Sequence, residues 1–494
     1  MKLLFVASEI APWVKTGGLG DVASALPDAL RNAGVDVRVL VPAYPAMRAA
    51  FPRARQIATL RWLGGELPDC SLWEAKGSNS VKLWLLEQAL FERVGNPYVD
   101  SKGIAWPDNP LRFGLLSRVA AWLSTEVSTL AWRPDVLHCN DWQSALAPAY
   151  LAWLPRAAGG LAGAAGKVTP SVVSIHNLAF QGVFSQSWLP LLGLPDAAWN
   201  MHGVEFHGQL SFLKAGLQSC NRITTVSPTY AREIQEDASG MGLAPLLRHR
   251  RTDLHGIING IDENVWNPVV DTYLKEPFTR FSSRTLAKKT HNKLQLQKRF
   301  SLQETAYEEN DVPLFGVVSR LTSQKGLDLL AEIGDRLLKL PAQLILLGSG
   351  ERELEESFRR LAESDRMRCA VRFEFDETIA HCIEAGADCF IMPSRFEPCG
   401  LNQMYSQRYG TLPIVRQTGG LADTVIDASS KTKGCGFMFQ LASSDDLYHA
   451  LSRAASLYRE RTRWRRLQLN AMRRDFSWRE PTARYLDVYQ QLLA

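Results

Sequence analysis

Three features are missing from this 494-residue sequence, and each absence excludes a class of protein. No uncharged stretch of ~18 apolar residues occurs, and the apolar run before Glu9 is too short for a signal peptide. The eight cysteines form no CxxC pair and no dense cluster, which argues against a zinc site or a disulfide framework. Lys and Arg total 56 against 51 Asp and Glu, and the excess of +5 is too small to drive nucleic-acid binding. We therefore expect a cytoplasmic protein with reduced thiols and with neither a membrane nor a nucleic-acid partner.

Short β-rich runs alternate with helical patterns along nearly the whole chain, which predicts an α/β protein with parallel sheets. The turn-rich stretch around Asn259 and Gly260 indicates a domain boundary. We predict one domain over residues 1–258, a second over residues 259–475 and an amphipathic C-terminal helix over residues 476–494. The predicted strands are Lys2–Ala7, Val35–Val41, Val81–Leu86, Val136–Cys139, Val172–Ile175 and Ile223–Val226, then Leu314–Ser319, Leu344–Leu347, Val371–Phe375, Cys389–Met392 and Leu412–Val415.

Two other segments have a distinctive composition. Residues 284–300 are basic at helical spacing, which predicts a surface helix with a solvated face in preference to an anion-binding patch. Residues 155–170 are rich in Ala and Gly, which predicts a flexible loop.

A glycine-rich segment, Lys15-Thr16-Gly17-Gly18-Leu19-Gly20-Asp21-Val22, follows the first predicted strand and leads into a helical pattern. Glycines let a backbone approach a ligand closely, and free N–H groups at a helix start favour an anion. The spacing of Gly18, Gly20 and Ala23 also matches a dinucleotide-binding fingerprint. That interpretation is disfavoured because ten residues separate the strand from Gly18, and because no acidic residue ends the second strand to hold a ribose.

The second half repeats the pattern of a strand followed by glycines and charges. Arg320 and Lys325 follow one strand, Gly348 and Gly350 follow the next, and Glu397 precedes Gly400 and Leu401 after a third. Thr418-Gly419-Gly420-Leu421-Ala422-Asp423 follows a fourth strand. Two cations at the carboxyl edge of a parallel sheet suit a pyrophosphate, and a buried Glu397 would need hydroxyl groups or cations around it.

Four of these segments, KTGGLGDV, SRLTSQKG, SRFEPCGL and TGGLADTV, stand in the order seen in bacterial glycogen synthases and plant starch synthases. His176-Asn177, Asn140-Asp141-Trp142 and Asn259-Gly260-Ile261-Asp262 also stand at family-like positions, and the sequence resembles this family over nearly its whole length. The resemblance implies a GT-B fold, in which two doubly wound Rossmann-like domains face across a cleft and the C-terminal helix crosses back to the first domain. It also implies retaining transfer of glucose from ADP-glucose to the non-reducing end of an α-1,4-glucan such as glycogen, with release of ADP and without a metal or other cofactor.

The resemblance also implies roles for particular residues. Arg320 and Lys325 would neutralise the phosphates, Glu397 would hold sugar hydroxyls, and His176 and Asp141 would lie at the reaction centre. Phe375 stands where many relatives have Tyr, a change that preserves stacking on a nucleobase and removes a hydroxyl contact. The other implied substrate-binding residues are Lys15, Gly17, Gly18, Asp21, Asn177, Asn259, Cys399, Gly400, Leu401, Thr418 and Gly419.

Three alternatives stay open on sequence grounds. A GT-B transferase that uses UDP-glucose or another acceptor would keep Arg320, Lys325 and Glu397, although it would not need the KTGGLGDV segment. A catalytically inactive glucan-binding protein would be expected to have lost charges at the site, and none is lost. Retention through a covalent glycosyl-enzyme would need a carboxylate nucleophile, which no sequence feature identifies.

Overall fold

The structure is a computed structural model that describes residues 1–77, 80–154, 168–306, 309 and 311–494. Most of the predicted loop at residues 155–170 therefore lies outside the described residues. The chain divides into two compact units, Met1–Gly260 with Trp478–Ala494, and Ile261–Ser477. This boundary falls two residues after the one predicted from the turn-rich segment.

The first unit is built on a nine-stranded sheet in the order β12-β11-β7-β6-β1-β2-β5-β4-β3. Neighbouring strands from β12 to β5 are parallel, and β4 and β3 are added antiparallel at one edge. A small antiparallel sheet, β8-β10-β9, is formed by residues between β7 and β11 in the sequence. The strands are β1 Lys2–Val6, β2 Asp36–Pro42, β3 Arg55–Leu60, β4 Cys70–Lys76, β5 Lys82–Glu87, β6 Val136–Asn140, β7 Ser171–Ile175, β8 Val183–Phe184, β9 Glu205–Phe206, β10 Gln209–Ser211, β11 Arg222–Thr225 and β12 Leu254–Gly256.

Helices of the first unit form crossover connections between parallel strands, as parallel pairing requires. The first of them buries Leu19, Val22, Leu26 and Leu30, a helical spacing that explains why the segment after the glycines folds as a helix. The helices are α1 Gly18–Asn32, α2 Pro45–Ala50, α3 Asn109–Leu123, α4 Leu146–Trp153, α5 Trp188–Leu191, α6 Phe212–Ser219, α7 Pro228–Glu233 and α8 Ala244–His249, with short 3₁₀ helices at Ala89–Phe91 and Asp196–Ala198.

The second unit contains a six-stranded parallel sheet in the order β15-β14-β13-β16-β17-β18. Counted from its first strand, this order is 3-2-1-4-5-6, the order of doubly wound nucleotide-binding folds. Its strands are β13 Leu314–Val318, β14 Gln343–Leu347, β15 Cys369–Arg372, β16 Cys389–Met392, β17 Leu412–Arg416 and β18 Phe437–Phe439. Its helices are α9 Lys288–Arg299, α10 Leu327–Glu332, α11 Gly334–Leu337, α12 Arg352–Ser364, α13 Glu377–Gly386, α14 Asn402–Arg408, α15 Gly419–Thr424, α16 Ser444–Tyr458 and α17 Arg461–Met472, with a 3₁₀ helix at Ser323–Lys325.

The predicted α/β class with parallel sheets is confirmed, and most predicted strands match to within one or two residues. One strand is displaced: β15 is Cys369–Arg372, whereas residues 371–375 were expected. The strands β3, β4, β8, β9, β10, β12 and β18 were not predicted. Most of β3 is partly or fully exposed, so its sequence lacks the continuous apolar run that marks a buried parallel strand.

The prediction of a solvated basic face over residues 284–300 is wrong for two lysines. In α9, Lys289 and Lys293 are both buried. The Lys293 ammonium lies 2.6 Å from an Asp311 carboxylate oxygen and 2.8 Å from one of Asp388. The Lys289 ammonium donates to the Thr411 hydroxyl at 2.6 Å and to backbone carbonyls of residues 384 and 385.

The last helix, α18 Arg479–Leu493, belongs to the first unit. It buries Tyr485, Val488 and Tyr489. The Tyr489 hydroxyl lies 2.7 Å from Nδ1 of His138, a fully buried residue of β6 whose other ring nitrogen lies 2.6 Å from the Ser174 hydroxyl. Burial lowers the pKa of His138 to about 3, so the imidazole is neutral and one nitrogen accepts.

Substitution of Tyr489 should therefore destabilise the first unit. Tyr489→Ala removes a buried ring and should lower the free energy of unfolding by about 3–5 kcal/mol, and Tyr489→Phe by about 1–3 kcal/mol because Nδ1 of His138 loses its partner. Denaturant titration measures both values. Gln490→Ala changes an exposed neighbour on the same helix and should stay within about 0.5 kcal/mol of the parent. Equal losses in all three variants would contradict specific docking of α18 through Tyr489.

Candidate active site

The second unit places its candidate site at the point where strand order reverses. In its sheet, β13 lies between β14 and β16, so the chain leaves β13 in one direction and β16 in the other. Such a switch point opens a crevice at the carboxyl ends of the two strands. The loops that follow β13 and β16 carry Arg320, Lys325 and Glu397.

Lys325 and Glu397 are in direct contact there. The Lys325 ammonium lies 2.7 Å from Oε2 of Glu397, and the same oxygen accepts a hydrogen bond from the Ser394 hydroxyl at 2.9 Å. The Glu397 residue is 6% exposed. A carboxylate buried to this degree needs a cation or several donors, and Lys325 with Ser394 supplies both. Among the described residues no hydrogen bond to its second oxygen, Oε1, is found, so that oxygen is available to a ligand.

Arg320 is positioned differently. Its side chain is exposed, and no hydrogen bond or ion pair joins it to another described residue. Its loop is held by a bridge between Leu321 and Gly350, so the Gly348-Ser349-Gly350 segment packs directly on it. No described residue therefore pairs with the Arg320 guanidinium, and the loop that carries it is fixed.

The two glycines of the Thr418-Gly419-Gly420 segment pack against the Glu397 loop. A Cβ at Gly419, whose φ is +44°, would lie 1.9 Å from the carbonyl oxygen of Glu397. The Gly420 N–H donates to the carbonyl oxygens of Glu397 and Pro398, each at 3.1 Å. These glycines are needed for close packing of two loops, and this packing holds Glu397 in place whatever else the segment binds.

The remaining predicted residues of this loop surround Glu397. Cys399 is buried, and Gly400 has a φ of +71°. Leu401 is the residue immediately before α14, and Thr418 is the residue immediately before α15. Phe375 lies in the loop after β15 and is 82% exposed, so its ring is available for stacking on a planar ligand.

The first unit has a corresponding switch point between β1 and β6. The loop after β1 carries the glycine-rich segment, and α1 begins at Gly18 with Gly17 as the preceding, extended residue. The Lys15 ammonium forms an ion pair with Asp21 at 2.9 Å. The predicted group of Lys15, Gly17, Gly18 and Asp21 is therefore assembled around the first turn of α1.

Glu9 is a residue of this site that the sequence analysis missed. It is 2% exposed, and its Oε2 accepts hydrogen bonds from the Thr16 backbone N–H at 2.7 Å and from the Thr16 hydroxyl at 2.8 Å. Burial raises the pKa of Glu9 to about 7, against the opposing effect of the Thr16 hydrogen bonds. The only sequence signal is an acidic residue directly after a buried strand. Glu9 fixes the loop that carries Lys15.

Asp141 follows β6 and has a φ of +54°, an uncommon backbone conformation for a residue other than glycine. Its Oδ1 accepts the His176 backbone N–H at 2.7 Å and lies 3.4 Å from the Asn177 backbone nitrogen. Burial raises its pKa to about 7. Asp141, His176 and Asn177 thus come together at the ends of two neighbouring strands, β6 and β7.

The orientation of His176 is fixed by Asn140. The Asn140 amide nitrogen donates to the Val6 carbonyl, which turns Oδ1 of Asn140 toward Nε2 of His176 at 2.9 Å. Since Oδ1 can only accept, Nε2 is assigned the proton and Nδ1 is an acceptor. Burial lowers the pKa of His176 to about 4, so the ring is neutral near pH 7. The Asn177 side chain accepts the Ala179 backbone N–H at 3.0 Å and supports the same turn.

A cavity of about 350 Å³ is lined by residues that are close in sequence to Asp141 and Asn177. Its walls are mainly apolar, and Trp142 directly follows Asp141. A cavity with flat aromatic faces and a few polar groups suits a sugar ring or another small organic ligand. The lining residues are Ala105, Asn109, Trp142, Ala179, Phe180, Gln181, Gly182, Val183 and Phe184.

Asn259 is the predicted residue with the weakest structural link to the others. It is buried, and its Oδ1 has no hydrogen-bond partner among the described residues.

No group of three His, Cys, Asp or Glu residues in the described part of the chain could hold a metal ion. None of the eight cysteines forms a disulfide, and all of them are buried. Within the same part of the chain, no helix has the length and apolar character needed to cross a membrane.

Comparison with known proteins agrees with this geometry. The family model of the starch synthase catalytic domain matches residues 2–249, and that of glycosyl transferases group 1 matches residues 300–467. A glycogen synthase from Dechloromonas aromatica is 52% identical over 100% of this chain and 99% of its own length. The catalytic domain of starch synthase IV from Arabidopsis thaliana, solved bound to ADP and acarbose, is 32% identical with a TM-score of 0.84, covering 99% of this chain and 98% of that one.

A sucrose-phosphate synthase from Thermosynechococcus elongatus shares the fold at 16% identity, with a TM-score of 0.59 over 100% of this chain and 99% of that one. Doubly wound units with charged loops at their switch points, matched by these models and structures, define a glycosyltransferase of the GT-B class. Within that class, the chain belongs to the family of bacterial glycogen synthases and starch synthases.

The raised pKa of Glu9 predicts a pH-dependent stability. A folded-state pKa of about 7 against an unfolded value near 4.5 means that the proton stabilises the fold, so this contribution is complete below pH 4.5 and is lost as pH rises through 7. Glu9→Gln removes the ionisation. Its free energy of unfolding relative to the parent should therefore rise by roughly 3 kcal/mol between pH 4 and pH 8.

Denaturant titrations at several pH values measure this difference. Glu236→Gln changes an exposed carboxylate of the same unit and should leave the pH dependence as it is in the parent. A difference between Glu9→Gln and the parent that stays constant from pH 4 to pH 8 would show that Glu9 is not protonated in the folded protein.

Proposed function

We propose that this protein transfers glucose from ADP-glucose to the non-reducing end of an α-1,4-glucan, with retention of configuration and release of ADP. The observation that carries the proposal is the contact between Lys325 and buried Glu397 at the switch point of the second unit. Family membership and the ADP and acarbose bound to the related starch synthase support the choice of donor and acceptor. We expect the reaction in the cytoplasm, which eight cysteines without a disulfide bond support.

In the proposed reaction, the cations of the second unit stabilise the leaving group. Negative charge grows on the diphosphate as the bond to the anomeric carbon breaks, and fixed cations stabilise that charge more in the transition state than in the ground state. Arg320 has no competing partner among the described residues, and Lys325 is already fixed by Glu397. We assign charge neutralisation to this pair, with no metal ion required.

The carboxylate of Glu397 has a different role. Its Oε2 accepts from Lys325 and Ser394, so Oε1 is the oxygen that would accept hydrogen bonds from sugar hydroxyls. The exposed ring of Phe375 would stack on the nucleobase. Stacking discriminates poorly between bases, so preference for ADP over UDP rests on the family resemblance.

In the first unit, hydroxyl recognition is assigned to Asp141 and His176. Neutral His176 offers Nδ1 as an acceptor, and Asp141 offers the oxygen that does not receive the His176 N–H. The neighbouring apolar cavity with Trp142 on its wall would hold a glucose ring of the acceptor. Lys15 would contribute its charge to the donor side.

Retention is assigned to attack from the face that the diphosphate leaves. In this scheme the acceptor hydroxyl gives its proton to a departing phosphate oxygen as the new glycosidic bond forms. This scheme needs no enzyme nucleophile and no covalent glycosyl-enzyme. The enzyme's part is to orient both sugars and to stabilise charge.

The first test is a direct assay of the purified protein. ADP-glucose with glycogen should yield ADP and lengthened α-1,4 chains, UDP-glucose should yield much less product, and a chelator should leave the rate unchanged. Released nucleotide is measured by chromatography and chain length by debranching. Faster release of UDP than ADP would reassign the donor, and rate loss on chelation that magnesium or manganese restores would refute the metal-free scheme.

The second test removes each cation in turn. Arg320→Ala and Lys325→Ala should each reduce kcat/KM for the donor by a factor of about 10²–10³, or about 3 kcal/mol, because each removes charge stabilisation of the leaving phosphate. Arg320→Ala should melt like the parent. Lys325→Ala should also lose stability, since it leaves the Glu397 carboxylate without its cation.

Matched controls are Arg352→Ala and Lys298→Ala, which remove exposed cations elsewhere in the second unit. Both should retain parental kinetics. Near-parental turnover of Arg320→Ala would identify Arg320 as a surface cation without a role in catalysis.

A further inference from the structure

Four rings are stacked in the second unit, and none of them belongs to a residue assigned to the reaction. The His381 ring lies between Tyr273 and Trp266, with centroid distances of 4.2 and 3.8 Å, and its plane is tilted only 8° from that of Trp266. Trp266 stacks in turn on Tyr405 at 4.0 Å. His381 is fully buried. Aromatic faces on both sides of an imidazole favour its cationic form over the neutral one.

A buried carboxylate meets the edge of the same imidazole. Nδ1 of His381 lies 2.8 Å from Oδ2 of Asp271, which also accepts the Tyr409 hydroxyl at 2.6 Å. The other Asp271 oxygen accepts the Tyr273 backbone N–H at 2.8 Å. Asp271 is fully buried. A carboxylate this deep needs a positive partner, and His381 is the one that contacts it.

Among the described residues, two carboxylates face His381. Asp271 faces it from the segment after the domain boundary. Glu377 lies one turn earlier on α13, and its Oε1 is 3.8 Å from Nε2 of His381. From α14 the Tyr409 hydroxyl reaches only the shared Asp271 oxygen, and from α9 Arg299 approaches the neighbouring Cys382. Burial lowers the pKa of His381, but the hydrogen bond with Asp271 and the charges of Asp271 and Glu377 outweigh burial and raise it above its ordinary value.

This cluster joins two helices that begin at the donor-binding loops. His381 lies on α13, which starts two residues after Phe375. Tyr405 lies on α14 and Tyr409 at its end, and α14 follows the Glu397 loop. A rigid connection between α13 and α14 therefore sets the spacing between the Phe375 loop and the Glu397 loop.

We propose that His381, as an imidazolium clamped by Trp266, Tyr273 and Asp271, is a positioning residue that holds α13 and α14 in the arrangement that binds the nucleotide-sugar donor. This inference rests on the proposed function, because it assumes that Phe375 and Glu397 bind that donor. His381 touches no substrate in this scheme. Its effect is transmitted through the two helices to the affinity for the donor.

Loss of the imidazolium proton should loosen the clamp. Because the pKa of His381 is raised, the charged form persists to a higher pH than for an ordinary histidine and is lost as pH rises through the raised value. The KM for ADP-glucose and the dissociation constant for ADP should therefore rise on the alkaline side. The KM for glycogen and kcat should change much less, since the acceptor residues and the cations that stabilise the leaving group are not part of the clamp.

The experiment compares the parent, His381→Asn and a matched control, His449→Asn, which removes an exposed histidine of α16. Asn keeps a donor near the position of Nδ1 and removes the charge and the ring. At neutral pH, His381→Asn should show a roughly tenfold higher KM for ADP-glucose and a tenfold weaker ADP affinity by calorimetry, with kcat and glycogen KM changed less than threefold. Its donor KM should also lose the alkaline rise seen in the parent and in His449→Asn.

Two further measurements keep the proposal testable if His381→Asn folds poorly. In the parent, the histidine ring signal assigned to His381 by NMR should titrate above pH 6.5. The variant Tyr409→Phe keeps the His381 imidazolium and the aromatic ring at position 409, so it should retain the alkaline rise in donor KM. A titration at or below pH 6.5 would overturn the proposal, as would loss of the alkaline rise in Tyr409→Phe. Equal changes in donor and glycogen KM for His381→Asn would indicate general destabilisation and would also overturn it.

ADP binding and the NMR titration separate this inference from the proposed function. If the parent makes no glucan from ADP-glucose but binds ADP with the expected pH dependence, the proposed function fails and the positioning role of His381 stands for a nucleotide ligand. If the parent makes glucan and His381→Asn binds ADP like the parent, the inference fails and the proposed function stands.

Discussion

The contact between Lys325 and the buried carboxylate of Glu397 is the constraint on which the second unit's site depends. A carboxylate placed at the end of a parallel strand is costly to bury, so the loops around it must bring a cation and a hydroxyl donor within hydrogen-bond distance. The turn at Gly326 has a φ of +65° and lies so close to the Pro393 carbonyl that a side chain would clash at 2.0 Å. Close packing of this turn is what brings Lys325 to Glu397.

The same packing explains why glycines and charges recur together after these strands. Gly419 and Gly420 press against the backbone at Glu397, Pro398 and Cys399, where a Cβ has no room. On the other side, Arg416 donates to the Ser394 carbonyl at 3.0 Å. The loop is therefore immobilised from two directions before any ligand arrives, which is the preorganisation that electrostatic stabilisation of a leaving group requires.

Patterns local in sequence predicted much of this arrangement. Buried parallel strands such as β13 and β16 are short apolar runs, and the residues that follow them lie at one edge of the sheet because all six strands are parallel. From that reasoning we predicted that Lys325 and Glu397 lie at one crevice, and in the structure the two side chains are in direct contact. It could not predict Lys289 and Lys293 as buried, because their acceptors come from residues 311, 384, 385, 388 and 411. Glu9 and His381 were missed for the same reason, since their environment is set by contacts that composition and periodicity do not encode.

The two sites differ in the charges of the side chains that they present, and the difference matches the chemistry assigned to each. In the first unit, burial brings Glu9 and Asp141 to a pKa of about 7 and His176 to about 4, so near neutral pH the two carboxyl groups are only partly ionised and the imidazole is neutral. Neutral or weakly charged groups bind hydroxyls without the desolvation cost of an ion. In the second unit, Lys325 and Arg320 supply positive charge on fixed loops, and a diphosphate requires that charge. Each unit thus has the electrostatic character of the part of the donor or acceptor that it is proposed to hold.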